Sequence, residues 1–305
     1  MSTPLGTSKP HQFEASGSEG AGREALRLLI LGAHPDDAEF HAGGLATRYR
    51  RAGHAVRMVS VTDGGAGHHW RGREELVAVR RAEAGEAATA IGAESAVWDF
   101  PDGELQPTLD LRRKIIAEIR SYRPDLVLTH RVNDYHPDHR AVGQAVQDAS
   151  FLVTVPRIVP EVPALRIDPV VAYMVDLFTV PCRFRADVVL DVSQELDTIL
   201  DMLQCHRSQV FEWLPYNLRV TTQVPENPIA RRDWLRAWFL QAVAPRNKRF
   251  REELIATLAG DAPPEADSVQ ARINQVQVCE AYELSEYAAP STPQRRRELF
   301  LLESD

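Results

Sequence analysis

The sequence predicts an α/β fold: a doubly wound, mostly parallel sheet flanked by helices, with a helical extension at the C-terminal end. Between residue 26 and about residue 150, short apolar runs alternate with stretches of helical periodicity. This alternation is typical of parallel strands that are joined by helices. After residue 210 the regular patterns are helical. A chain of 305 residues is also long enough to bury the core of such a domain.

The first part of the chain divides into four strands and four helices. The strands are short apolar runs, predicted at residues 26–33, 55–62, 96–100 and 125–130. The helices are the amphipathic stretches that follow each strand, predicted at residues 37–51, 74–91, 109–121 and 139–151. Gly92 closes the second helix, a common position for glycine. Gly43 and Gly44 interrupt the first helical pattern, where glycine is unfavourable.

The second part of the chain begins with a proline-rich segment at residues 155–169. Its prolines exclude a regular helix and a central strand, so we expect a loop over the sheet and a candidate rim of a pocket. Strands are predicted at residues 170–175 and 188–192, and helices at residues 194–207, 231–244 and 246–259. The expected organisation is a disordered extension at 1–24, an α/β domain at 25–210 and a helical extension of that domain at 211–305.

Composition and charge exclude several classes of function. The formal net charge is −8, from 35 basic and 43 acidic residues, which argues against broad binding to nucleic acid or anionic membranes. Cys182, Cys205 and Cys279 lie too far apart for a disulfide framework or a C-x-x-C metal motif. We find neither a membrane span of about 20 apolar residues nor the apolar core of a signal peptide. We therefore expect a cytoplasmic protein, and a homo-oligomer is compatible with the sequence.

Ionisable side chains gather at the ends of two predicted strands. His34, Asp36 and Asp37 follow the first strand, and His136 and His139 follow the strand at residues 125–130. Open α/β sheets bind their ligands at the carboxyl ends of the strands. His34, Asp37 and His139 provide two imidazoles and one carboxylate, a set that suits catalytic zinc with one position left for water. The same set suits ferrous iron.

The neighbouring side chains have candidate catalytic roles. Asp36, beside the metal ligands, is a candidate general base, and His136 is a candidate general acid for a leaving amine. Asp138 is placed to orient one of the histidines. An alternative for Asp36 or Asp37 is capping of the helix that follows. Capping accounts for one of these two carboxylates and leaves the other to be explained.

These motifs resemble those of a known family. The stretches A-H-P-D-D-A-E at residues 33–39 and H-P-D-H at residues 136–139 resemble the LmbE-like, or PIG-L, family of zinc-dependent de-N-acetylases. That family removes acetyl groups from N-acetylglucosaminyl compounds, including precursors of low-molecular-weight thiols and of GPI anchors. Weaker likenesses extend it over most of residues 26–210: T-D-G-G-A-G at 62–67, R-R-A-E at 80–83, F-P-D-G-E-L at 100–105 and H-R-S-Q at 206–209.

The resemblance implies the same zinc ligands, base and acid as the residues do by themselves. It also implies that Arg80 and Asp102 contact the hydroxyl groups of a sugar substrate. Alternatives exist for both, because Arg80 also fits an exposed position on a helix. Asp102 also fits the start of a Pro-Asp-Gly turn.

The expected function is hydrolysis of the N-acetyl group of an amino-sugar conjugate. One alternative is an amidase that cleaves a larger acyl or thiol-conjugate amide, with pocket depth set by the loop at 155–169 and the C-terminal helices. Another is a non-catalytic sugar-binding protein on the same fold, because function follows from the chemistry of the site rather than from the fold. A dinucleotide-binding protein is disfavoured, since no G-x-G-x-x-G follows the first strand.

Overall fold

The structure is a computed structural model that describes residues 25–260 and 263–302. The extension predicted at residues 1–24 lies outside these residues. The strands are β1 Arg27–Gly32, β2 Ala55–Thr62, β3 Glu94–Phe100, β4 Leu126–Thr129, β5 Val170–Met174, β6 Val188–Asp191 and β7 Cys279–Leu284. The helices are α1 Asp37–Arg51, α2 Arg73–Ile91, α3 Leu109–Tyr122, α4 Pro137–Leu152, α5 Leu196–Leu203, α6 Leu214–Asn217, α7 Pro228–Arg249, α8 Arg251–Ala259, α9 Asp267–Gln275 and α10 Pro293–Leu299.

All seven strands belong to one sheet, in the order β3-β2-β1-β4-β5-β7-β6. The pairs β2–β3, β1–β2, β1–β4 and β4–β5 are parallel, whereas β7 pairs antiparallel with β5 and with β6. The predicted fold class is therefore confirmed. The order of the strands reverses between β1 and β4, which is where doubly wound folds open a crevice for a ligand.

The central strand β1 is buried on both faces. Leu28 and Ile30 belong to one apolar cluster with α1, α5 and α7, while Leu29 and Leu31 belong to a second cluster with α3 and α4. All four side chains are 0% exposed, and each contributes about 1.5–3 kcal/mol by its burial. This two-sided burial explains the uncharged apolar run of β1. It also fixes where the strand ends and the polar residues begin.

The proline-rich segment 155–169 forms a loop, as predicted, but it does not form the rim of the main cavity. Val159 of this loop is buried in the cluster of α3 and α4. Arg120 of α3 donates hydrogen bonds to the carbonyl oxygens of Val155, Ile158, Val159 and Val162. The loop is thus tied to the α3–α4 face by a buried guanidinium, a contact that proline spacing does not reveal.

The C-terminal extension is mainly helical, and it also returns one strand, β7, to the sheet. The helices predicted at 231–244 and 246–259 meet at Phe250 rather than at Pro245, because α7 continues through Pro245 to Arg249. Proline removes one backbone N–H, but its fixed φ is compatible with a helix. Within the described residues, no helix combines the length and the apolar character needed to span a membrane.

Side chains of the extension hydrogen-bond to the backbone of α1. Glu280 of β7 accepts from Gly44 N at 2.7 Å and Leu45 N at 2.9 Å, and Arg246 of α7 donates to Phe40 O at 2.9 Å. Gly44 also lies against Val192, directly after β6, where an added Cβ atom would come 2.5 Å from the Val192 Cβ. An added Cβ on Gly43 would lie 3.2 Å from Met202 Cε of α5. The glycine pair inside this helix is therefore explained by close packing. The extension and the α/β part share one core through α1.

Candidate metal and catalytic site

The predicted metal ligands, base and acid lie together at the carboxyl ends of β1 and β4, where Arg80 of α2 and Asp102 after β3 join them. His34 follows β1 by two residues. Its Nε2 lies 3.2 Å from Asp102 Oδ1 and 3.3 Å from Asp138 Oδ2, while its Nδ1 lies 3.5 Å from Asp37 Oδ2. Burial by itself would lower the pKa of His34, but hydrogen bonds to these three carboxylates raise it well above its usual value. Two carboxylates on the Nε2 side favour a proton there and leave Nδ1 free as a ligand.

Asp37 is the buried centre of the cluster. Its Oδ1 lies 3.4 Å from His139 Nε2 and its Oδ2 lies 3.1 Å from His130 Nε2. Burial alone would raise the pKa of Asp37, but the neighbouring imidazoles hold it well below the usual range. Nδ1 of His139 faces Asp134 Oδ1 at 3.1 Å. Burial disfavours the charged form of His139, yet Asp37 and Asp134 raise its pKa to about 9.

The donor atoms fit a divalent cation. Within the described residues, three overlapping triplets bring one ligand atom from each member within 4.8 Å of the others: His34/His136/His139, Asp37/His130/His139 and His34/Asp102/Asp138. The predicted set of His34, Asp37 and His139 is not itself one of these triplets, but each member belongs to at least one. The rings of His34 and His139 have their centres 5.2 Å apart. Imidazole nitrogens and carboxylate oxygens converging in a buried place suit Zn²⁺ or Fe²⁺.

Neither of the adjacent carboxylates caps α1. Asp36 occupies the N-cap position with φ 122°, but its side chain makes no capping hydrogen bond. The Asp37 carboxylate instead accepts from His34 N at 2.7 Å. A φ of this kind costs a non-glycine residue about 1–3 kcal/mol and is found mostly at functional sites. The capping alternative therefore explains neither side chain.

Asp36 is buried and paired with Arg80. Its Oδ2 lies 3.1 Å from an Arg80 guanidinium nitrogen, and that guanidinium also donates to the carbonyl oxygen of Pro35. Burial raises the pKa of Asp36 to about 6, although the charge of Arg80 opposes this shift. Arg80 is 2% exposed, so the alternative of an exposed helical residue is wrong. Gly64 makes room for it, because a Cβ there would lie 2.8 Å from Arg80 Cδ.

Asp102 and Asp138 each contact the His34 ring and also accept hydrogen bonds from backbone N–H groups of nearby loops. Asp102 Oδ2 accepts from Ala66 N at 3.0 Å, and Asp138 accepts from Gly103 N at 2.7 Å and Leu105 N at 3.2 Å. Asp102 also stands in the turn that the Pro-Asp-Gly sequence predicts, with Gly103 at φ 84°. The turn and the site are therefore compatible. The predicted orienting role of Asp138 agrees with its place beside His34.

His136 occupies the N-cap position of α4. Its Nδ1 accepts from Asp138 N at 3.2 Å, so the neutral ring carries its proton on Nε2. The ring meets His34 edge-on, with the ring centres 4.5 Å apart. Burial lowers the pKa of His136, and the charges of His34 and His139 lower it further. The His136 ring is thus neutral in this arrangement, and its lowered pKa makes the protonated ring a ready proton donor.

The cluster opens into a cavity of about 560 Å³. His34, Asp36, Asp37, Arg80, Asp102, His136 and His139 all line it. Its outer wall is rich in large apolar side chains: Phe40, Tyr135, Phe178, Trp213, Leu214 and Trp238. None of residues 155–169 lines this cavity, whereas α7 does, so the predicted role in pocket depth is supported for the C-terminal helices alone.

Sequence reasoning did not assign four residues of this region: His130, Asp134, His41 and Arg246. His130 directly follows β4, and its Nε2 accepts from Ala33 N at 3.1 Å, so its place at a strand end was a usable signal. Asp134 precedes the H-P-D-H motif by two residues. His41 and Arg246 meet only in the folded chain, with 3.1 Å between Arg246 Nη2 and His41 Nδ1. No sequence pattern connects those two.

Comparisons with known proteins identify the family of the region that contains the site. Residues 29–150, which contain every predicted site residue, match the family model PIG-L, described as GlcNAc-PI de-N-acetylase. The chain is 28% identical over 203 residues to 4-oxalmesaconate hydratase of Pseudomonas putida, covering 64% of this chain and 78% of the relative. It is 27% identical over 204 residues to diacetylchitobiose deacetylase of Thermococcus kodakarensis, covering 63% and 75%.

A solved structure supports the same fold. N,N'-diacetylchitobiose deacetylase from Pyrococcus horikoshii superimposes with a TM-score of 0.63 at 18% identity, covering 87% of this chain and 85% of that one. The resemblance inferred from the two metal motifs is confirmed. The chain carries, over residues 29–150, a domain of the PIG-L (LmbE-like) family.

Proposed function

We propose that this protein is a metal-dependent hydrolase that removes the N-acetyl group from an N-acetylglucosamine-type conjugate. The observation that carries the proposal is the meeting of His34, Asp37 and His139 with Asp36 and His136 in one cavity. This meeting falls within the region that matches the family model. The relative from Thermococcus kodakarensis is named diacetylchitobiose deacetylase, and this name supports an N-acetyl amide as the substrate.

His34, Asp37 and His139 would hold the cation. When bound, a divalent cation there would polarise the acetyl carbonyl and lower the pKa of water. Side chains of the protein carry out the proton transfers and hold the reacting groups in position. Asp36 takes the proton from the attacking water, and its pKa of about 6 leaves it ionised at neutral pH but able to hold a proton. Arg80 keeps the Asp36 carboxylate in place.

His136 completes the reaction on the leaving-group side. A C–O bond forms to water as the amide C–N bond breaks, so the products are acetate and a free amine. The nitrogen needs a proton as it leaves, and we assign its donation to Nε2 of His136, since Nδ1 of that ring faces Asp138 N. His136 gives this proton as an imidazolium ion and returns to the neutral ring, and the proton that Asp36 takes from the water restores the imidazolium for the next turnover. Asp102 and Asp138 keep the His34 ring oriented throughout.

The test combines metal analysis with an assay of acetate release from N-acetylglucosamine derivatives. General base catalysis contributes about 10²–10⁴-fold, so Asp36→Asn should lose at least about 100-fold in kcat while retaining the metal. His139→Ala should lose metal. Asp99→Asn, a change at an exposed aspartate on β3, is the matched control and should match the wild type. Near-normal turnover by Asp36→Asn would contradict the mechanism.

A hydratase is the second candidate, because one relative with 28% identity is named as one. The same groups would then add water across a carbon–carbon double bond: Asp36 would take one proton from the water as the C–O bond forms, and His136 would supply a proton to the other carbon. Incubation with unsaturated dicarboxylic acids, followed by loss of ultraviolet absorbance, distinguishes it from acetate release. Longer N-acyl derivatives in the same panel test the amidase alternative, and binding of the sugar without turnover would favour the non-catalytic alternative.

A further inference from the structure

Arg246 brings a charge from the C-terminal extension into the cavity. It lies near the end of α7, outside the region matched by the family model, and it lines the cavity together with Trp238 of the same helix. Its guanidinium donates to Phe40 O at 2.9 Å and lies 3.1 Å from His41 Nδ1. These two contacts fix the position of the group. They use only part of a guanidinium that has five N–H donors.

The carboxylates that line the cavity all have partners of their own. The pairs are Asp36–Arg80 at 3.1 Å, Asp37–His139 at 3.4 Å, Asp102–His34 at 3.2 Å, Asp134–His139 at 3.1 Å and Asp176–Arg131 at 2.5 Å. Among the residues that the structure describes, Arg246 has no such ion pair, although Arg80, the other arginine of the cavity wall, has one. The buried carboxylate of Glu280 attracts Arg246 electrostatically, but its oxygens are bound by Gly44 N, Leu45 N and the Tyr282 hydroxyl. Among the described residues, Arg246 is therefore the arginine of this wall whose guanidinium has no carboxylate in contact with it.

An arginine in this state is suited to bind an anion. It stays charged at any working pH, and removing a charge from water without a partner costs free energy that a bound anion would recover. Its planar fork matches the oxygens of a carboxylate or a phosphate.

The position of Arg246 indicates which part of a substrate it meets. Phe40 and His41 follow Asp37 by three and four residues on α1. This spacing corresponds to about one helical turn, or about 5 Å along the helix. An anion on Arg246 would thus lie beside the reacting amide and not on it. We propose that Arg246 binds a carboxylate or phosphate of the substituent attached to the amino sugar, and this inference rests on the proposed deacetylation.

The experiment compares charged and uncharged substrates on one enzyme preparation. The probes are methyl N-acetyl-α-D-glucosaminide, N-acetyl-α-D-glucosamine 1-phosphate and the carboxymethyl glycoside of N-acetylglucosamine. The wild type should have a higher kcat/KM for acetate release from the two anions. Arg246→Gln should lower that value by about 10- to 100-fold for the anions and leave it nearly unchanged for the methyl glycoside, since charge-assisted hydrogen bonds have this strength. The better of the two anions identifies phosphate or carboxylate as the natural group.

The measured quantity is the ratio of kcat/KM for an anionic substrate to kcat/KM for the methyl glycoside. This ratio does not depend on how much of the preparation is folded, because an inactive fraction lowers both values of kcat/KM equally. Arg249→Gln is the matched control: Arg249 is exposed on the same helix and lies over the Phe250 ring, away from the cavity. Arg246→Lys keeps the charge without the fork and should give an intermediate ratio. If the ratio is unchanged in Arg246→Gln, the inference about Arg246 is overturned. Acetate release by the same preparation would still support the proposed deacetylation.

A second measurement does not depend on turnover. Calorimetric titration with N-acetyl-α-D-glucosamine 1-phosphate should show binding to the wild type and about 10-fold or more weaker binding to Arg246→Gln. Equal affinity of both proteins would overturn the inference. Absence of acetate from every probe, with binding intact, would instead contradict the deacetylase proposal and leave Arg246 as an anion site.

Discussion

Replacement of Arg120 by methionine should destabilise the fold and leave the chemistry of the folded protein unchanged. Arg120 is 1% exposed, and its guanidinium donates to six backbone carbonyl groups between α3, α4 and the proline-rich loop. Four of these oxygens also accept a backbone N–H. Within the described residues, those of Ile158 and Val162 have Arg120 as their sole hydrogen-bond donor.

The magnitude follows from those two carbonyl groups. Leaving a buried acceptor without a donor costs about 1–3 kcal/mol, so the two together cost about 2–6 kcal/mol in the free energy of unfolding. Both residues are half-buried, which places the expected value near the lower end, at about 3 kcal/mol. For a chain of 305 residues the entropy of unfolding is about 0.6 kcal/mol/K, so such a loss lowers Tm by about 5 °C.

The assay is urea unfolding followed by circular dichroism, with acetate release measured per folded molecule at low temperature. Arg113→Met is the control, since the Arg113 side chain is 63% exposed on the same helix. A free energy of unfolding within about 0.5 kcal/mol of the wild type would refute the reasoning for Arg120. A tenfold change in kcat/KM per folded molecule would show that the loop does reach the cavity.

Three further predictions concern the site and its supports. Asp138→Asn should weaken metal binding by about 10–100-fold in a chelator competition, because it removes a carboxylate that orients a proposed ligand; unchanged affinity would contradict that role. Gly44→Ala should cost about 1–3 kcal/mol by overpacking in thermal unfolding, whereas Gly85→Ala, with open space around it, should raise stability by up to about 1 kcal/mol; equal effects would refute the packing argument. Burial lowers the pKa of His206, but Glu39 at 3.1 Å raises it overall. The contribution of this pair to stability is therefore full below about pH 6.5 and is lost as pH rises through the folded pKa. The Tm difference between the wild type and His206→Asn should shrink between pH 6 and pH 9, and a constant difference would contradict this.

Much of the fold follows from local patterns. The predicted bounds of α1 and β2 agree with the structure, because an amphipathic stretch and an apolar run each begin and end at polar or glycine residues. Strand β7 was not predicted, since Glu280 and Glu283 place two charges within its six residues. The Glu280 side chain is 3% exposed. The Glu280 carboxylate can be buried because its partners are backbone N–H groups of α1, 236 and 235 residues away. Such a partner has no local signature.

The site likewise contains residues that local sequence patterns predict and residues that they do not. Residues on the two strand ends were predicted because the chain direction places them at one edge of the sheet. His130 was missed although it directly follows β4, because it lacks the adjacent carboxylates that distinguish His34. Arg246 was missed because its place in the cavity depends on how α7 packs against α1. The position of the proline-rich loop depended likewise on Arg120.

The link between Glu280 and α1 has a consequence for the order in which the protein matures. The helix that begins with Asp37 is synthesised early, yet its Gly44 and Leu45 amides are bound by a residue near the end of the chain. Strand β6 joins the sheet only by pairing with β7, which lies between β6 and β5 and is synthesised later. Contacts so distant in sequence form slowly. A ribosome-bound chain that stops short of residue 280 should therefore present the site motifs without a finished site.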